Sequence, residues 1–192
     1  MKTPKHVAVI LADGFEEAEA VVFIDILRRL EIEVDVLSTM ETTQLNSYFG
    51  TKISADYTLA DKFTQIYDAV MMPGGPQGTD NLSKNNSVIT FLKRHISANK
   101  YICALCSSGA RVLAAHHLLQ GRKYTTGGDL QKNYTDGCFV DQKVVIDGNF
   151  ITGKGLGVSF EFAFTVAKLL LTEQQHEVDW QAEHIYLDKW PL

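Results

Sequence analysis

The hydrophobic positions of the chain follow two alternating periods. Short runs of consecutive apolar residues, many of them β-branched, are typical of strands buried on both faces of a parallel sheet. Longer segments in which apolar residues recur every three or four positions predict helices. The predicted strands cover residues 7–11, 34–37, 53–59 (a short strand or hairpin), 69–72, 101–105, 144–146 and 150–152. The predicted helices cover residues 16–30, 87–96, 110–116, 159–171 and 173–187.

This alternation predicts an α/β fold: a flavodoxin-like, doubly wound and mostly parallel sheet with helices on both faces. We expect one domain over residues 1–192, with residues 173–192 as a C-terminal helical tail. Asp147-Gly148-Asn149 lies between two strand-like runs and predicts a hairpin. Asn86 or Ser87 is the expected N-cap of the helix that follows it.

Glycine-bearing turns follow three of the predicted strands, at Asp13-Gly14, Gly74-Gly75 and residues 106–109. In open α/β sheets, ligands bind beyond the carboxyl ends of the strands. The three turns therefore predict a single site at that edge of the sheet.

Composition narrows the class of protein. The 192 residues are 45% hydrophobic and carry a net charge of −5, which gives no electrostatic footprint for nucleic acid or an anionic membrane. No apolar run approaches the length of a membrane span, and the first residues do not form a signal peptide. Three cysteines do not make a disulfide framework, so reduced thiols in the cytoplasm are expected.

The segment around Cys106 has the pattern of a nucleophile elbow, a sharp strand-to-helix turn. Ala104 and Ser108 supply the small side chains that so tight a turn requires two residues before and after its centre. A helix N-terminus favours an anion, so we expect the pKa of the Cys106 thiol to be lowered. We expect the Ser107 N–H to help stabilise an oxyanion, and the Gly74-Gly75 turn to bring a second N–H. The alternative is an inert buried thiol.

Cys103 and Cys106 also have the C-x-x-C spacing of redox dithiols. Three residues of extended strand span about 10 Å, whereas a disulfide requires Cα atoms within about 7 Å. Cys103 is therefore predicted to be a small core residue, and Cys138 carries no functional signal.

Glu19 lies at the centre of the apolar face of the first predicted helix. Its neighbours on that face are Val22, Phe23, Ile26 and Leu30. A lone carboxylate there is costly unless it is paired or protonated, and burial raises its pKa. A functional reading makes Glu19 a proton donor and acceptor for Cys106, whereas a structural reading makes it an ion-pair partner of Arg29 or Arg111.

Other signals are weaker. Residues 153–157 contain three glycines before a helix, but they do not form a P-loop, and a turn lining the same pocket is the preferred interpretation. His116 and His117 are adjacent and point in different directions, and no cysteine–histidine set has zinc spacing. We therefore predict no metal and no cofactor.

Four motifs together resemble the ThiJ/PfpI superfamily, and within it the branch containing the Parkinson-associated redox sensor and deglycase. They are Gly14-Phe15-Glu16-Glu17-Ala18-Glu19, Met72-Pro73-Gly74-Gly75, Ala104-Leu105-Cys106-Ser107 and Ser159-Phe160-Glu161-Phe162-Ala163. The resemblance covers nearly the whole chain in the same order. It implies a flavodoxin-like, cytoplasmic, cofactor-free homodimer.

The resemblance also assigns roles to residues of the predicted site. It places the oxidisable nucleophile on Cys106, its partner carboxyl on Glu19, and the oxyanion-hole amides on Gly75 and Ser107. The substrate pocket is placed at Gly74, Thr126, Gly127 and Lys154. The implied activities are conversion of methylglyoxal to lactate, deglycation, stress chaperoning and peroxide sensing.

Three departures from the family pattern bear on substrate choice. Thr125-Thr126 is followed by Gly127, where many relatives carry a histidine, and Ser107 stands where protease-type relatives have one. Both differences count against a Cys-His peptidase. Lys154 replaces the arginine of a family turn and lacks its planar bidentate fork.

The leading hypothesis is an enzyme acting on a small aldehyde or glycated substrate, in which Cys106 adds to the carbonyl and Glu19 moves the proton. A second hypothesis is a non-catalytic redox sensor or chaperone in which Cys106 oxidises to a sulfinate. A cysteine amidase or peptidase is the third.

Overall fold

The structure, a computed structural model, describes residues 4–187. The strands are β1 (His6–Leu11), β2 (Glu33–Ser38), β3 (Gln44–Asn46), β4 (Lys52–Ser54), β5 (Tyr57–Thr58), β6 (Ala69–Met72), β7 (Tyr101–Leu105), β8 (Lys123–Tyr124), β9 (Cys138–Phe139), β10 (Val144–Asp147) and β11 (Phe150–Gly153). The α-helices are α1 (Glu17–Arg29), α2 (Leu59–Lys62), α3 (Pro76–Lys84), α4 (Asn86–Ser97), α5 (Ser159–Leu170) and α6 (Gln175–His184). A π-helical segment covers Gly109–Ala114, and 3₁₀ turns cover Leu130–Asn133 and Leu156–Val158.

Seven strands form the central sheet in the order β10-β11-β7-β6-β1-β2-β5. All neighbouring pairs are parallel except the antiparallel hairpin of β10 and β11 at one edge. Val7 of β1 lies opposite Val34 of β2 on one side and Ala69 of β6 on the other. The predicted flavodoxin-like, mostly parallel α/β fold is confirmed, and so is the hairpin.

Helices cover both faces of the sheet, as predicted. Val9 of β1 faces the layer that contains α1 and α5, where Phe23 and Phe162 lie with their ring centroids 5.9 Å apart. Ile10, the next residue, faces the layer that contains α4 and the π-helical segment, represented by Phe91. Because both faces are buried, the central strands carry continuous apolar runs rather than an alternating pattern.

Several elements differ from the sequence prediction. Helix α3 was not predicted because its nine residues are mostly polar, although Pro76 stands at its first turn, where a missing N–H costs nothing. The N-cap of α4 is Asn85, whose Oδ1 accepts hydrogen bonds from the N–H groups of Ser87 (2.9 Å) and Val88 (3.4 Å), so the predicted caps were wrong. The segment 53–59 is divided between β4, which pairs with β3, and β5, which pairs with β2.

At the C-terminus, α6 (Gln175–His184) is shorter than the predicted helix over 173–187, and residues 188–192 of the predicted tail lie outside the described residues. Within residues 4–187, no helix is both long and apolar enough to cross a bilayer. That residues 1–192 form one domain stays a prediction.

Candidate active site

The three glycine-bearing turns meet at the carboxyl edge of the sheet, as predicted. A Cβ on Gly75, which has φ +98°, would lie 2.3 Å from the carbonyl oxygen of Gly14. A Cβ on Gly74 would lie 2.6 Å from Cβ of Cys106 and 2.9 Å from Oε2 of Glu19. Glycine at these two positions therefore lets the turn after β6 approach the backbone of the Gly14 turn and the side chains of Cys106 and Glu19.

Cys106 lies on a strained turn between β7 and the π-helical segment. Its φ is +58°, which is uncommon for a residue with a side chain. The turn is held from both sides: the Cys106 N–H donates to the Gly153 carbonyl (2.9 Å), and its own carbonyl accepts from Thr126 Oγ1 (2.8 Å) and the Gly127 N–H (3.2 Å). Ser108, fully buried below the turn, donates to the Pro73 carbonyl at 2.5 Å. The predicted elbow geometry is confirmed.

Glu19 is buried against Cys106 with no cationic partner among the described residues. Only 1% of Glu19 is exposed, its Oε2 accepts a hydrogen bond from the Gly74 N–H at 2.7 Å, and its carboxyl is hydrogen-bonded to the Cys106 thiol. The proposed ion-pair alternative is wrong. Arg29 pairs with Asp25 (2.7 Å), and Arg111 donates to the Pro76 carbonyl (3.0 Å).

Burial controls the protonation of this pair. It raises the pKa of Glu19 from 4.5 to about 7, although the hydrogen bonds from Gly74 and Cys106 act in the opposite direction. Burial also raises the pKa of the Cys106 thiol to about 12, and the negative charge of Glu19 adds to this effect, while the Ser107 N–H opposes it. The expectation that the following helix lowers the pKa of Cys106 was wrong. That helix is a six-residue π-helical segment, and its terminus does not outweigh desolvation.

Two raised pKa values mean that the pair carries at most one negative charge at neutral pH. Cys106 rests as a thiol beside a carboxyl group whose pKa lies close to that pH. A pKa near the working pH suits a group that must accept and return a proton.

The Cys106 thiol opens into a cavity of about 630 Å³. Among the residues predicted for the site, Glu19, Gly75, Cys106, Ser107 and Gly127 line it. No acceptor within residues 4–187 takes the Gly75 N–H, whereas the Ser107 N–H is directed at the Cys106 sulfur.

The remaining predicted pocket residues lie beside this cavity rather than in its wall. Gly74 lies behind the thiol, between Cys106 and Glu19. Thr126 is fully buried beneath the turn, where it holds the Cys106 carbonyl. The Lys154 side chain forms an ion pair with Asp141 on the surface, although its carbonyl oxygen would lie 3.0 Å from a Cβ on Gly127.

A second group of cavity residues had no assignment from the sequence. They lie just before α1, in α3, in the π-helical segment and in the loop 128–133: Glu16, Pro76, Arg111, Gly128, Asp129, Leu130, Lys132 and Asn133. Leu156 also lines the cavity, which agrees with the interpretation of residues 153–157 as a turn at the same pocket. Arg111 had a usable signal, because it lies one helical turn after Ser107 at the elbow. The residues of 128–133 had none, since no periodic pattern marks that loop.

The other cysteines and the histidines do not contribute to this site. Cys103 is fully buried in β7, as predicted, and Cys138 is exposed in β9. No histidine of residues 4–187 lines the cavity, and His116 instead contacts the Ser83 hydroxyl (3.0 Å). Within the same residues, no group of three or more His, Cys, Asp or Glu side chains is arranged to hold a metal ion.

The fold and this geometry define a flavodoxin-like α/β protein with a cysteine on a strand-to-helix elbow and a buried carboxyl partner. The chain belongs to the DJ-1/PfpI family, whose model matches residues 5–169. The resemblance to the ThiJ/PfpI superfamily is thereby confirmed.

Named relatives place the chain among the DJ-1 homologues. It is 35% identical over 171 residues to the Parkinson disease protein 7 homolog of Danio rerio, covering 87% of this chain and 90% of that protein. It is 30% identical over 173 residues to the glutathione-independent glyoxalase DJR-1.2 of Caenorhabditis elegans, with 88% and 91% covered. Protein DJ-1 homolog B of Arabidopsis thaliana is 34% identical over 166 residues, and the match covers 86% of this chain but only 38% of that longer protein.

Solved structures agree with this assignment. A cysteine-to-alanine mutant of a DJ-1 superfamily protein from Salmonella typhimurium superposes with a TM-score of 0.93 at 52% identity, covering 95% of this chain and 98% of that chain. A structure of oxidized DJ-1 from Toxoplasma gondii superposes with a TM-score of 0.90 at 28% identity, covering 96% and 100%.

Proposed function

We propose that this protein acts on small reactive carbonyl compounds, in a glyoxalase- or deglycase-like reaction, with Cys106 as the nucleophile and Glu19 as the proton shuttle. The observation that carries the proposal is the buried Glu19 carboxyl hydrogen-bonded to a thiol that faces an open cavity. A relative named as a glutathione-independent glyoxalase supports the substrate class.

With methylglyoxal, the proposed reaction begins when the Cys106 sulfur attacks the aldehyde carbon. Glu19 takes the thiol proton, and the N–H groups of Gly75 and Ser107 hold the developing oxyanion. The proton then passes to that oxygen and gives a neutral hemithioacetal. Glu19, again a carboxylate, removes the proton from the former aldehyde carbon and returns it to the neighbouring carbon, while the hydroxyl proton passes to the former ketone oxygen, which leaves a lactoyl thioester on Cys106. Water hydrolyses the thioester, releasing lactate and restoring the Cys106 thiol.

The test is lactate production from methylglyoxal by the wild type, Cys106→Ser and Cys138→Ser. Cys138 is exposed and lies outside the cavity, so it is the matched control for loss of a thiol. We expect turnover by the wild type and by Cys138→Ser, and none by Cys106→Ser. Absence of turnover by the wild type, or equal turnover by all three proteins, would refute the proposal.

A second candidate function is redox sensing, with or without chaperone activity, through the same thiol. Cys106 would be oxidised by two equivalents of hydrogen peroxide to a sulfinate, with release of two waters and a proton. The specific observation in its favour is the similarity to a DJ-1 structure described as oxidized. Peroxide titration followed by peptide mapping tests it: oxidation is expected first at Cys106, and even oxidation of Cys103, Cys106 and Cys138 would contradict it.

A peptidase function has less support, because no histidine of residues 4–187 lines the cavity to act as a general base. Peptide hydrolysis by the wild type, together with loss of that activity in Cys106→Ser, would support a peptidase function.

We also propose that the chain is a cytoplasmic homodimer without nucleic-acid or membrane partners, as family membership and the net charge of −5 suggest. Light scattering coupled to size-exclusion chromatography tests the dimer, and a monomeric mass across a wide concentration range would contradict it.

A further inference from the structure

Arg111 shares the cavity with the Cys106 thiol. It belongs to the π-helical segment that follows the elbow, and its backbone N–H donates to the Ser107 carbonyl at 2.8 Å. Its half-buried side chain reaches the turn after β6, where Nη1 donates to the Pro76 carbonyl at 3.0 Å. This bond fixes the guanidinium beside the Gly75 turn, whose N–H is the proposed oxyanion donor.

Most of the hydrogen-bonding capacity of Arg111 is unused. A guanidinium has five N–H donors, and the contact to Pro76 is its one side-chain hydrogen bond within residues 4–187. No carboxylate of those residues lies within 4.0 Å of it, whereas Arg28 pairs with Asp56 (3.1 Å) and Arg29 with Asp25 (2.7 Å). Arg111 therefore presents donors to the cavity that no described group of the protein takes.

Other charges at the cavity are already engaged. Lys132 pairs with Asp129 at 2.7 Å, so its charge is compensated locally. Glu16 also lines the cavity, and its carboxylate accepts a hydrogen bond from the Ala18 N–H. The Glu16 carboxylate favours the alternative of a positively charged ligand, so the binding experiment compares an anionic ligand with a cationic one.

The cavity is larger than a three-carbon substrate requires. Its volume of about 630 Å³ lies in the range of pockets that hold drug-sized ligands. A substrate can therefore extend from Cys106 to Arg111 and place a second functional group there.

From these observations, we propose that Arg111 forms a carboxylate subsite, so that the preferred substrates are 2-oxoaldehydes with a carboxylate distant from the reacting carbonyl. The inference rests on the proposed function of Cys106. The guanidinium fork takes a carboxylate through two parallel hydrogen bonds, a geometry that lysine does not offer. With 4,5-dioxopentanoate, Cys106 adds to the aldehyde and the terminal carboxylate binds Arg111. Addition of one water then gives 2-hydroxyglutarate and a proton, with no other reactant.

Steady-state kinetics test the subsite through a ratio: kcat/KM for 4,5-dioxopentanoate divided by kcat/KM for methylglyoxal. The wild type is expected to favour the anionic substrate. Arg111→Met should lower the ratio roughly 10- to 100-fold, the range that charge-assisted hydrogen bonds supply. Arg111→Lys should recover part of the loss. Lys132→Met, which removes the same charge from the same cavity, should change the ratio less than about threefold.

A separate binding measurement distinguishes failure of the subsite from failure of the enzyme. Calorimetry with glutarate, which lacks a reactive carbonyl, should show binding to Cys106→Ser and much weaker binding to Cys106→Ser/Arg111→Met. This holds even if the wild type turns over neither aldehyde. Three results would overturn the subsite. An equal loss of kcat/KM on both substrates in Arg111→Met would mean that Arg111 only supports the Pro76 turn. Tighter binding of 1,5-diaminopentane than of glutarate would favour a site for cations at Glu16, and unchanged glutarate affinity in Cys106→Ser/Arg111→Met would mean that Arg111 does not bind the carboxylate.

Discussion

Two polar clusters lie at opposite ends of the strands of the central sheet. At the amino ends of the strands, the Asp35 carboxylate contacts His6 Nε2 (3.1 Å), accepts a hydrogen bond from the Tyr67 hydroxyl (2.8 Å) and lies 3.8 Å from Lys62 Nζ. At the carboxyl ends, Glu19 has a backbone N–H and a thiol as its partners. Both clusters place a carboxyl group near buried apolar residues, but of the two only Asp35 has a lysine, Lys62, within 4.0 Å among residues 4–187.

The two clusters also differ in backbone strain and in access to solvent. Cys106 holds a φ of +58° and faces an open cavity, whereas Tyr67 is fully buried and its hydroxyl has a partner. Strained backbone and a carboxyl with a raised pKa are features that proteins retain where chemistry requires them. We infer that the Asp35 cluster serves stability and that the Glu19 cluster sacrifices some stability for reactivity.

The two clusters should differ most when the ionisable carboxyl group of each is removed. Glu19→Gln keeps the shape but cannot accept the thiol proton, so kcat/KM for methylglyoxal should fall about 10²- to 10⁴-fold. Asp35→Asn should leave kcat/KM within about twofold of the wild type, because it lies at the other edge of the sheet. Comparable activity losses in both variants would mean that the two edges do not divide function and stability.

Stability should respond to Glu19→Gln in the opposite sense to activity. Glu19 titrates near 4.5 when unfolded and near 7 when folded, so the folded state binds the proton more tightly. Stability therefore falls as pH rises from 4.5 to about 7, and the full cost remains at higher pH. Glu19→Gln removes that cost, so it should be more stable than the wild type by about 1–3 kcal/mol at about pH 8 and nearly equal at about pH 4.

Urea unfolding of both proteins at the two pH values measures this difference. Glu41→Gln, a change at an exposed position, is the control and should show no such dependence on pH. A Glu19→Gln variant less stable than the wild type at both pH values would indicate that Glu19 is a structural group.

A smaller effect is expected from crowding the thiol. A Cβ on Gly127 would lie 3.1 Å from the Cys106 sulfur, so in Gly127→Ala the loop or the thiol has to shift. We expect this to raise the activation free energy of alkylation by about 1.4 kcal/mol, so that iodoacetamide labels Cys106 roughly tenfold more slowly. Gly157→Ala is the matched control, because its added Cβ meets nothing within 4 Å. Equal labelling rates in the wild type and Gly127→Ala would mean that the loop moves away from the thiol without cost.

The smallest effect belongs to the Asp35 cluster. Tyr67→Phe removes one hydrogen bond to a carboxylate that keeps His6 and Lys62, so unfolding free energy should fall by about 1 kcal/mol without loss of turnover. Tyr57→Phe, at an exposed ring, should cost less. Thermal denaturation and the lactate assay together check both expectations, and loss of turnover in Tyr67→Phe would contradict the assignment of this cluster to stability.

The parts of the fold that sequence could predict are those with a strong local signal. The apolar runs of β1, β6 and β7 needed no partner to be recognised, and neither did the hairpin of β10 and β11. Helix α3 and the short strands β8 and β9 lack such a signal, because α3 is mostly polar and each of the two strands has only two residues. Their conformation depends on the elements packed against them.

For the site, sequence alone determined the elbow at Cys106 and the inward direction of Glu19. Both follow from local rules: the small residues of a tight turn, and the periodicity of one helix. The other features of the site depend on contacts between distant parts of the chain. Tertiary packing turns Lys154 toward Asp141, brings Arg111 and the loop 128–133 to the cavity, and raises the pKa of Cys106 rather than lowering it. Burial and electrostatic interaction are sums over every neighbour in space, and most of those neighbours lie far away along the chain.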